Sequence, residues 1–286
     1  MFAETHFGGN PLAVFPDARG LSDRTMQLIA RQFNLAETTF IFPPLLDTNN
    51  AASIRIFTPL AELPFAGHPT IGTASVLARL GKGAGTLILE ERIGLVPVDV
   101  HFAGEETFAN LTLSRRIEQA STPPDADVLT RILSIDRHDV IKCWFASAGV
   151  RFCFVQLASQ VAVDRATLDR AAWASHLRDA WSPHLFIFAG DPRVERIYAR
   201  MFAPALGVAE DAASGAAVIT LVGSLAEQWL DQNGSLTIDI DQGVSMGRPS
   251  VLTATAEVTG GRATTVTLRG QTIFLANGEM LVPVGE

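Results

Sequence analysis

Two short stretches of this chain set a titratable side chain directly ahead of an uncharged run. In Phe65-Ala-Gly-His68-Pro69, Gly67 and His68 precede Thr70–Ala78, and in Glu210-Asp211-Ala-Ala-Ser-Gly215, Asp211 precedes Ala216–Ala226. If each run is a buried helix, its first turn offers unpaired N–H groups and the positive end of the dipole, the makings of an anion site. Gly67 lets backbone approach a ligand closely, and His68 adds a group that titrates near neutrality. His68 also fits a simple helix-capping role, and Asp211 fits an N-cap, which does not exclude ligand contact. Glu37 is a third candidate, at a helix–strand junction among Phe33, Leu35 and Phe40. Pattern alone leaves it open between a solvated loop glutamate and a carboxyl desolvated by its aromatic neighbours. The second kind is tuned toward neutrality, as general acid–base work on a carbon acid requires.

The elements that must carry these groups are written twice. Arg55-Ile-Phe-Thr-Pro59 recurs as Arg200-Met-Phe-Ala-Pro204, each followed by one of the uncharged runs. A period of about half the chain implies two copies of a domain, since solenoid repeats are roughly 20–50 residues. The spacing predicts buried helices over 70–80 and 213–228, both N-termini facing one cleft. Pro69 suits a first helical position and Gly81 a left-handed C-cap. Both runs fall short of the roughly 20 apolar residues of a membrane span. Upstream, Ser22 caps a helix over 23–33 that Asn34 ends, and a strand follows over 38–42. Ser121-Thr-Pro-Pro124 reads as a linker, giving an N-terminal domain over 1–118 and a C-terminal domain over 125–278. A last strand near 279–286 is expected to return to the first domain. The second half reads as a hairpin over 140–145 and 151–157, a helix over 164–178, strands over 185–189 and 195–202, and short strand-like runs to the end. Strands and helices do not alternate strictly, so the class is α+β rather than a doubly wound sheet.

Composition narrows the function classes. The 286 residues are 48% hydrophobic and 18% charged with a net charge of −8, which fits cored domains and argues against a nucleic-acid binder. No charged segment followed by an apolar stretch opens the chain, so a cytoplasmic enzyme is expected. Cys143 and Cys153 lack metal-ligand spacing and read as reduced core residues of one hairpin. With no paired His/Cys set and no Gly-rich phosphate loop behind a strand, no metal, nucleotide or flavin is expected.

Four segments in order, Asn34-Leu-Ala-Glu-Thr-Thr-Phe40, Phe65-Ala-Gly-His-Pro69, Met201-Phe-Ala-Pro-Ala-Leu-Gly-Val-Ala-Glu-Asp211 and Gln242-Gly-Val-Ser-Met-Gly-Arg-Pro-Ser250, resemble the PhzF-like phenazine-biosynthesis family. The resemblance implies the diaminopimelate-epimerase-like fold, two similar domains each wrapping curved sheet around a central helix. It also implies a homodimer that isomerises a small carboxylate without cofactor, moving a proton between carbons. Glu37 would be the acid/base, with His68 and Asp211 as catalytic partners. Asn10, Gly67, Gly215 and Ala216 would contact substrate. One departure is visible: the family's T-G-S-A is Ser214-Gly215-Ala216-Ala217 here, so a hydroxyl is lost at Ala216 while its N–H remains. Two-thiol epimerases of this fold place a cysteine at each helix N-terminus, and neither Cys143 nor Cys153 is there. A binding or scaffold protein that kept the fold and lost turnover is the alternative from another class.

Overall fold

A computed structural model describes residues 1–282, and its packing separates two units. Unit 1 is Met1–Leu111 together with the chain from Arg269, and unit 2 is Thr112–Leu268.

Unit 1 contains strands β1 (Leu12–Phe15), β2 (Glu37–Phe42), β3 (Ala52–Phe57), β4 (Glu62–Leu63), β5 (Gly85–Glu91) and β6 (Gly94–Ala103), with helices α1 (Asp23–Phe33) and α2 (Gly67–Leu77), and strand β7 (Glu106–Leu113) begins in unit 1 and ends in unit 2. Unit 2 contains β8 (Glu118–Gln119), β9 (Val140–Ser147), β10 (Arg151–Leu157), β11 (Leu185–Ala189), β12 (Ile197–Ala203), β13 (Val208–Asp211), β14 (Gly234–Gln242) and β15 (Ser250–Thr259). Strand β16 (Arg262–Thr272) begins in unit 2 and ends in unit 1. The helices of unit 2 are α3 (Ala126–Leu133), α4 (Gln160–Arg165), α5 (Arg170–His176) and α6 (Gly215–Trp229).

The duplication read from the sequence is a duplication of strand pairing. In unit 1, β1 runs parallel to β2, β2 antiparallel to β3, and β3 parallel to β5, with β4 antiparallel on β3. In unit 2, β10, β11, β12, β14 and β13 repeat that scheme element for element. The repeated arginines make the same bond in each copy. Arg55 Nε and Nη2 donate to the two oxygens of Glu62 at 2.8 and 2.7 Å. Arg200 does the same to Glu210 at 2.8 and 2.8 Å. Each bidentate pair pins a short return strand at the approach to a central helix.

Both central helices are apolar all round, as a helix enclosed by sheet must be. Every residue of α2 except Val76 is buried, as is every residue of α6 from Gly215 to Ala226 except Ala216. Close approach requires glycine at one point in each. A Cβ on Gly72 would lie 2.5 Å from Leu12 Cδ2, and one on Gly223 would lie 2.7 Å from Ile117 Cδ1.

Several boundaries differ from those the sequence suggests. Helix α2 starts at Gly67, so Pro69 is its third residue, still among the N–H-free positions where proline is tolerated. Its end widens into a single π turn over Ala78–Lys82, within which Gly81 takes a positive φ of 113°. The single helix expected over 164–178 is two, because the Asp169 side chain caps Ala171 and Ala172 N–H and starts α5 afresh. Of the strand-like runs expected toward the end, those over 264–268 and 271–275 join into the one strand β16, which stops at Thr272. Gly270 allows the Phe2 ring to lie against the backbone, where a Cβ would sit 2.1 Å from Phe2 Cδ1. No strand forms over 273–282; the expected strand near 279–286 partly lies outside the described residues, and Val282 packs on the unit 1 cluster around Met26 and Phe40. The division between units falls at Leu111/Thr112 and Leu268/Arg269 rather than at 118–125 and 278. Segment 112–124 goes with unit 2 because β8 pairs with β9, and the end of β16 goes with unit 1, where Thr272 Oγ1 bonds Ser75 Oγ at 2.9 Å.

Candidate active site

Glu37 and His68 meet in unit 1. Asn34, at φ 51°, ends α1 in the left-handed conformation with its N–H on the Ala30 carbonyl. That sharp exit makes Glu37 the first residue of β2, in register with Leu12 of β1. The Asn10-Pro11 segment is thereby laid beside Glu37, and the second residue of α2 completes the cluster. His68 Nε2 is 3.2 Å from Glu37 Oε2, their side chains 5% and 16% exposed. A ring N–H of His68 donates to the Pro11 carbonyl, and since Nε2 faces Glu37, the donor is Nδ1.

The distance alone would suggest an ion pair, but burial decides otherwise. Desolvation, aided by the charge of the Met1 ammonium and opposed by the Pro11 bond, pushes the His68 imidazole down to about 3, so the ring is neutral at physiological pH. Nε2 therefore presents a lone pair to Glu37, and the contact becomes a hydrogen bond when the carboxyl carries a proton. The aromatic environment expected of Glu37 is only partly realised: Phe40 is fully buried, while Phe33 is 43% exposed. Asn10 is buried beside the pair, with its N–H on the Met1 carbonyl.

Asp211, Gly215 and Ala216 gather at the N-terminus of α6 in unit 2. Asp211 ends β13, whose pairing with β12 puts it opposite Met201. Ser214 Oγ donates to Asp211 Oδ2 at 2.5 Å. Gln242, at the end of β14 and fully buried, ties the turn together. Its Oε1 accepts from Ser214 N–H at 3.1 Å, and its Nε2 donates to the Asp211 carbonyl at 2.7 Å and to Ser214 Oγ at 3.1 Å. Gly243 follows at φ 73°, where a Cβ would sit 2.6 Å from the Ala212 carbonyl oxygen. Ser214 and Gln242 are supports that sequence reasoning did not single out, although Gln242 opens one of the four segments quoted above.

The two central helices share a further property. Helices α1, α3, α4 and α5 each have an N-cap side chain, from Ser22, Asp125, Ser159 and Asp169, accepting a first-turn N–H. Helices α2 and α6 have none. Their first-turn N–H groups are left for something other than a cap, as an anion-binding N-terminus requires. The other candidates do not assemble this way. Cys143 and Cys153 are free thiols in adjoining strands, each pushed up by burial, and remote in sequence from both helix starts. Among the described residues Asp136, His138 and Asp139 come within metal-ligand spacing. Asp139 is engaged there by Arg165 and by the Asp136 N–H of a capping box, and the other two are exposed.

Known proteins resemble this one along its whole length. A family model described as phenazine biosynthesis-like protein matches residues 1–278. An uncharacterized isomerase of Mesorhizobium japonicum is 33% identical over 293 residues, covering 99% of this chain and 97% of its own. The trans-2,3-dihydro-3-hydroxyanthranilate isomerase of Pseudomonas aeruginosa is 38% identical over 283 residues, covering 97% and 95%. The solved structure of a predicted epimerase from Pseudomonas aeruginosa superposes with a TM-score of 0.80 at 28% identity, covering 99% and 97%. Two copies of one helix-centred sheet, the Asn34–Phe40 and Phe65–Pro69 segments that meet as Glu37 and His68, and this full-length similarity establish that the chain belongs to the PhzF-like phenazine-biosynthesis family.

Proposed function

We propose that this protein is a cofactor-independent isomerase that moves a proton between two carbons of a small carboxylate, with Glu37 as the acid/base. The observation that carries the reading is the Glu37–His68 contact, 3.2 Å long and shielded from water. A neutral imidazole fixed by Pro11 accepts a hydrogen bond from the carboxyl whenever Glu37 carries a proton, and so holds it in one orientation. Glu37 delivers its proton to one carbon of the substrate and takes one from another, so enzyme and proton count both end where they began. Uncapped N–H groups at the start of α2, in the unit that holds Glu37, suit the substrate carboxylate.

The test uses trans-2,3-dihydro-3-hydroxyanthranilate in deuterated water, followed by a panel of small cyclic amino carboxylates. Wild-type enzyme should place deuterium on the isomerised carbon. Glu37→Gln keeps size and polarity but cannot exchange a proton, so turnover should fall by roughly two to four orders of magnitude with no label incorporated. Ordinary turnover by Glu37→Gln would remove Glu37 from the mechanism. Ligand binding without turnover across the whole panel would favour the binding-protein alternative.

A further inference from the structure

Unit 1 holds a second buried carboxyl that this reading does not use. Glu91, the last residue of β5, is 9% exposed. Its Oε1 lies 2.6 Å from Thr70 Oγ1, in the first turn of α2 two residues past His68, and its Oε2 has no hydrogen-bond partner. Thr70 Oγ1 also lies 2.7 Å from the Ala66 carbonyl oxygen. A hydroxyl has one hydrogen and a carbonyl has none to give. With Thr70 donating to Ala66, the short contact to Glu91 is a hydrogen bond only if Glu91 supplies the second hydrogen. An ionised Glu91 would leave Thr70 one hydrogen between two acceptors.

The repeat gives an independent indication. Ser53 of β3 is in register with Glu90 of β5, and Tyr198 of β12 with Asp241 of β14. Ser53 and Tyr198 each stand two residues before the repeated arginine, Arg55 or Arg200. Glu90 therefore corresponds to Asp241, and Glu91 to Gln242. Gln242 is a neutral amide laid against Asp211 and Ser214 at the entry to α6, and an un-ionised carboxylic acid has its shape and one donor–acceptor edge of it. We propose that Glu91 is a positioning residue of the α2 first turn that works as an un-ionised acid, the unit 1 counterpart of Gln242, and that its ionisation loosens the turn carrying His68.

Among the described residues no arginine or lysine pairs with Glu91, and the Met1 ammonium, the cation that acts on His68, donates to the Asn10 carbonyl. Its neighbour Glu90 is taken up by the Leu45, Leu46 and Asp47 N–H groups and by Asn50. Arg92 pairs with Glu62 at 2.8 Å, and Arg55 on β3 pairs with Glu62 and Asp23. His68 on α2 is neutral and faces Glu37. On β6, Gly94 stands opposite Glu91 in register and brings no charge. Desolvation accordingly pushes the Glu91 carboxyl up to about 8.

This inference does not depend on the proposed reaction, and its test needs no substrate. Full-chain protein carrying 13C-carboxyl glutamate is titrated from neutral to alkaline pH by difference infrared spectroscopy. An isotope-shifted un-ionised carboxyl band should bleach with a midpoint near the value of about 8 given by burial. The His68 ring resonances of 15N-histidine protein should move with the same midpoint. In Glu91→Gln that band should be missing and His68 should stay at its low-pH wild-type position throughout. Absence of the band in wild type near neutrality overturns the proposal, as do His68 resonances indifferent to the titration. If Glu91→Gln does not fold, the same titration of Glu37→Gln, which removes the other shielded glutamate carboxyl, decides: the band and the His68 movement should both persist there, and their loss overturns the proposal.

Discussion

The neutral state of His68 has a thermodynamic signature whose sign distinguishes it from an ion pair with Glu37. The perturbation is His68→Asn, which keeps a donor near Nδ1 for the Pro11 carbonyl and removes the titration. In the unfolded chain the imidazole takes its proton near 6.5, whereas in the folded protein burial depresses that to about 3. Between those values the unfolded state binds a proton that the native state does not. Stability contributed by this site is thus fully present above 6.5 and is lost as pH falls toward 3. Going from about pH 7.5 to about pH 4.5 crosses roughly two units of that window, or about 2.7 kcal/mol at about 1.36 kcal/mol per unit. Urea unfolding of wild type and His68→Asn at both pH values gives the double difference, in which groups remote from His68 cancel, and repeating it in a Glu37→Gln background removes the neighbouring carboxyl from the comparison. Wild type should lose about 2–3 kcal/mol more than the variant on acidification. An imidazolium–carboxylate pair would have a raised histidine pKa, and wild type would lose less than the variant. Equal losses, or that reversed sign, would refute the neutral pair and with it the orientation assigned to Glu37.

Two further expectations concern the frame. Arg200 spends its guanidinium on Glu210 and on the carbonyls of Val163, Asp164 and Ala166, and both members of the ion pair are largely buried. Arg200→Met removes the fork and its charge and leaves Glu210 without its partner, so urea unfolding should show a loss of about 3–5 kcal/mol, and a loss under about 1 kcal/mol would reduce the repeated arginine to a surface-type pair. Gly223→Ala should destabilise by about 1–3 kcal/mol through its clash with Ile117, despite the better helix former. Adding Ile117→Val removes the nearest clashing atom, Cδ1, and should recover part of that loss. A Gly223→Ala protein as stable as wild type would mean that the neighbours of α6 yield freely.

What the sequence disclosed and what it withheld divide by the reach of the interaction. Helix α1 is legible to the residue because Ser22 and Asn34 act on backbone groups a few positions away. The repeat was legible because Arg55 and Arg200 carry their strand and proline context with them, and it led to the enclosed helices. Helix identity could not be read over 164–178, where the apolar pattern continues but one aspartate restarts the chain. The supports of the site were harder still. Gln242 acts on groups 28 and 31 residues upstream, and nothing local marks it as the residue that holds Ser214 and Asp211. Glu37 could be chosen over a solvated glutamate only through the family resemblance; the contact that gives it a chemical environment depends on the β1–β2 register and on α2 beginning at Gly67, two residues before the proline that marks helix starts. Glu91 shows the limit most clearly. As one of two adjacent glutamates before an arginine it reads as an ordinary charged strand end, and the net charge of −8 counts it as ionised. Only the ladder register aligns it with a glutamine, and only the short contacts of Thr70 require a hydrogen there. Alignment of the two halves by their arginines puts Glu-Glu over Asp-Gln, a change of charge that looks like divergence. In the folded chain each position supplies a donor at the start of a central helix, Gln242 to Asp211 and Ser214 ahead of α6 and Glu91 to Thr70 in α2, once from an amide and once from an acid that burial keeps protonated.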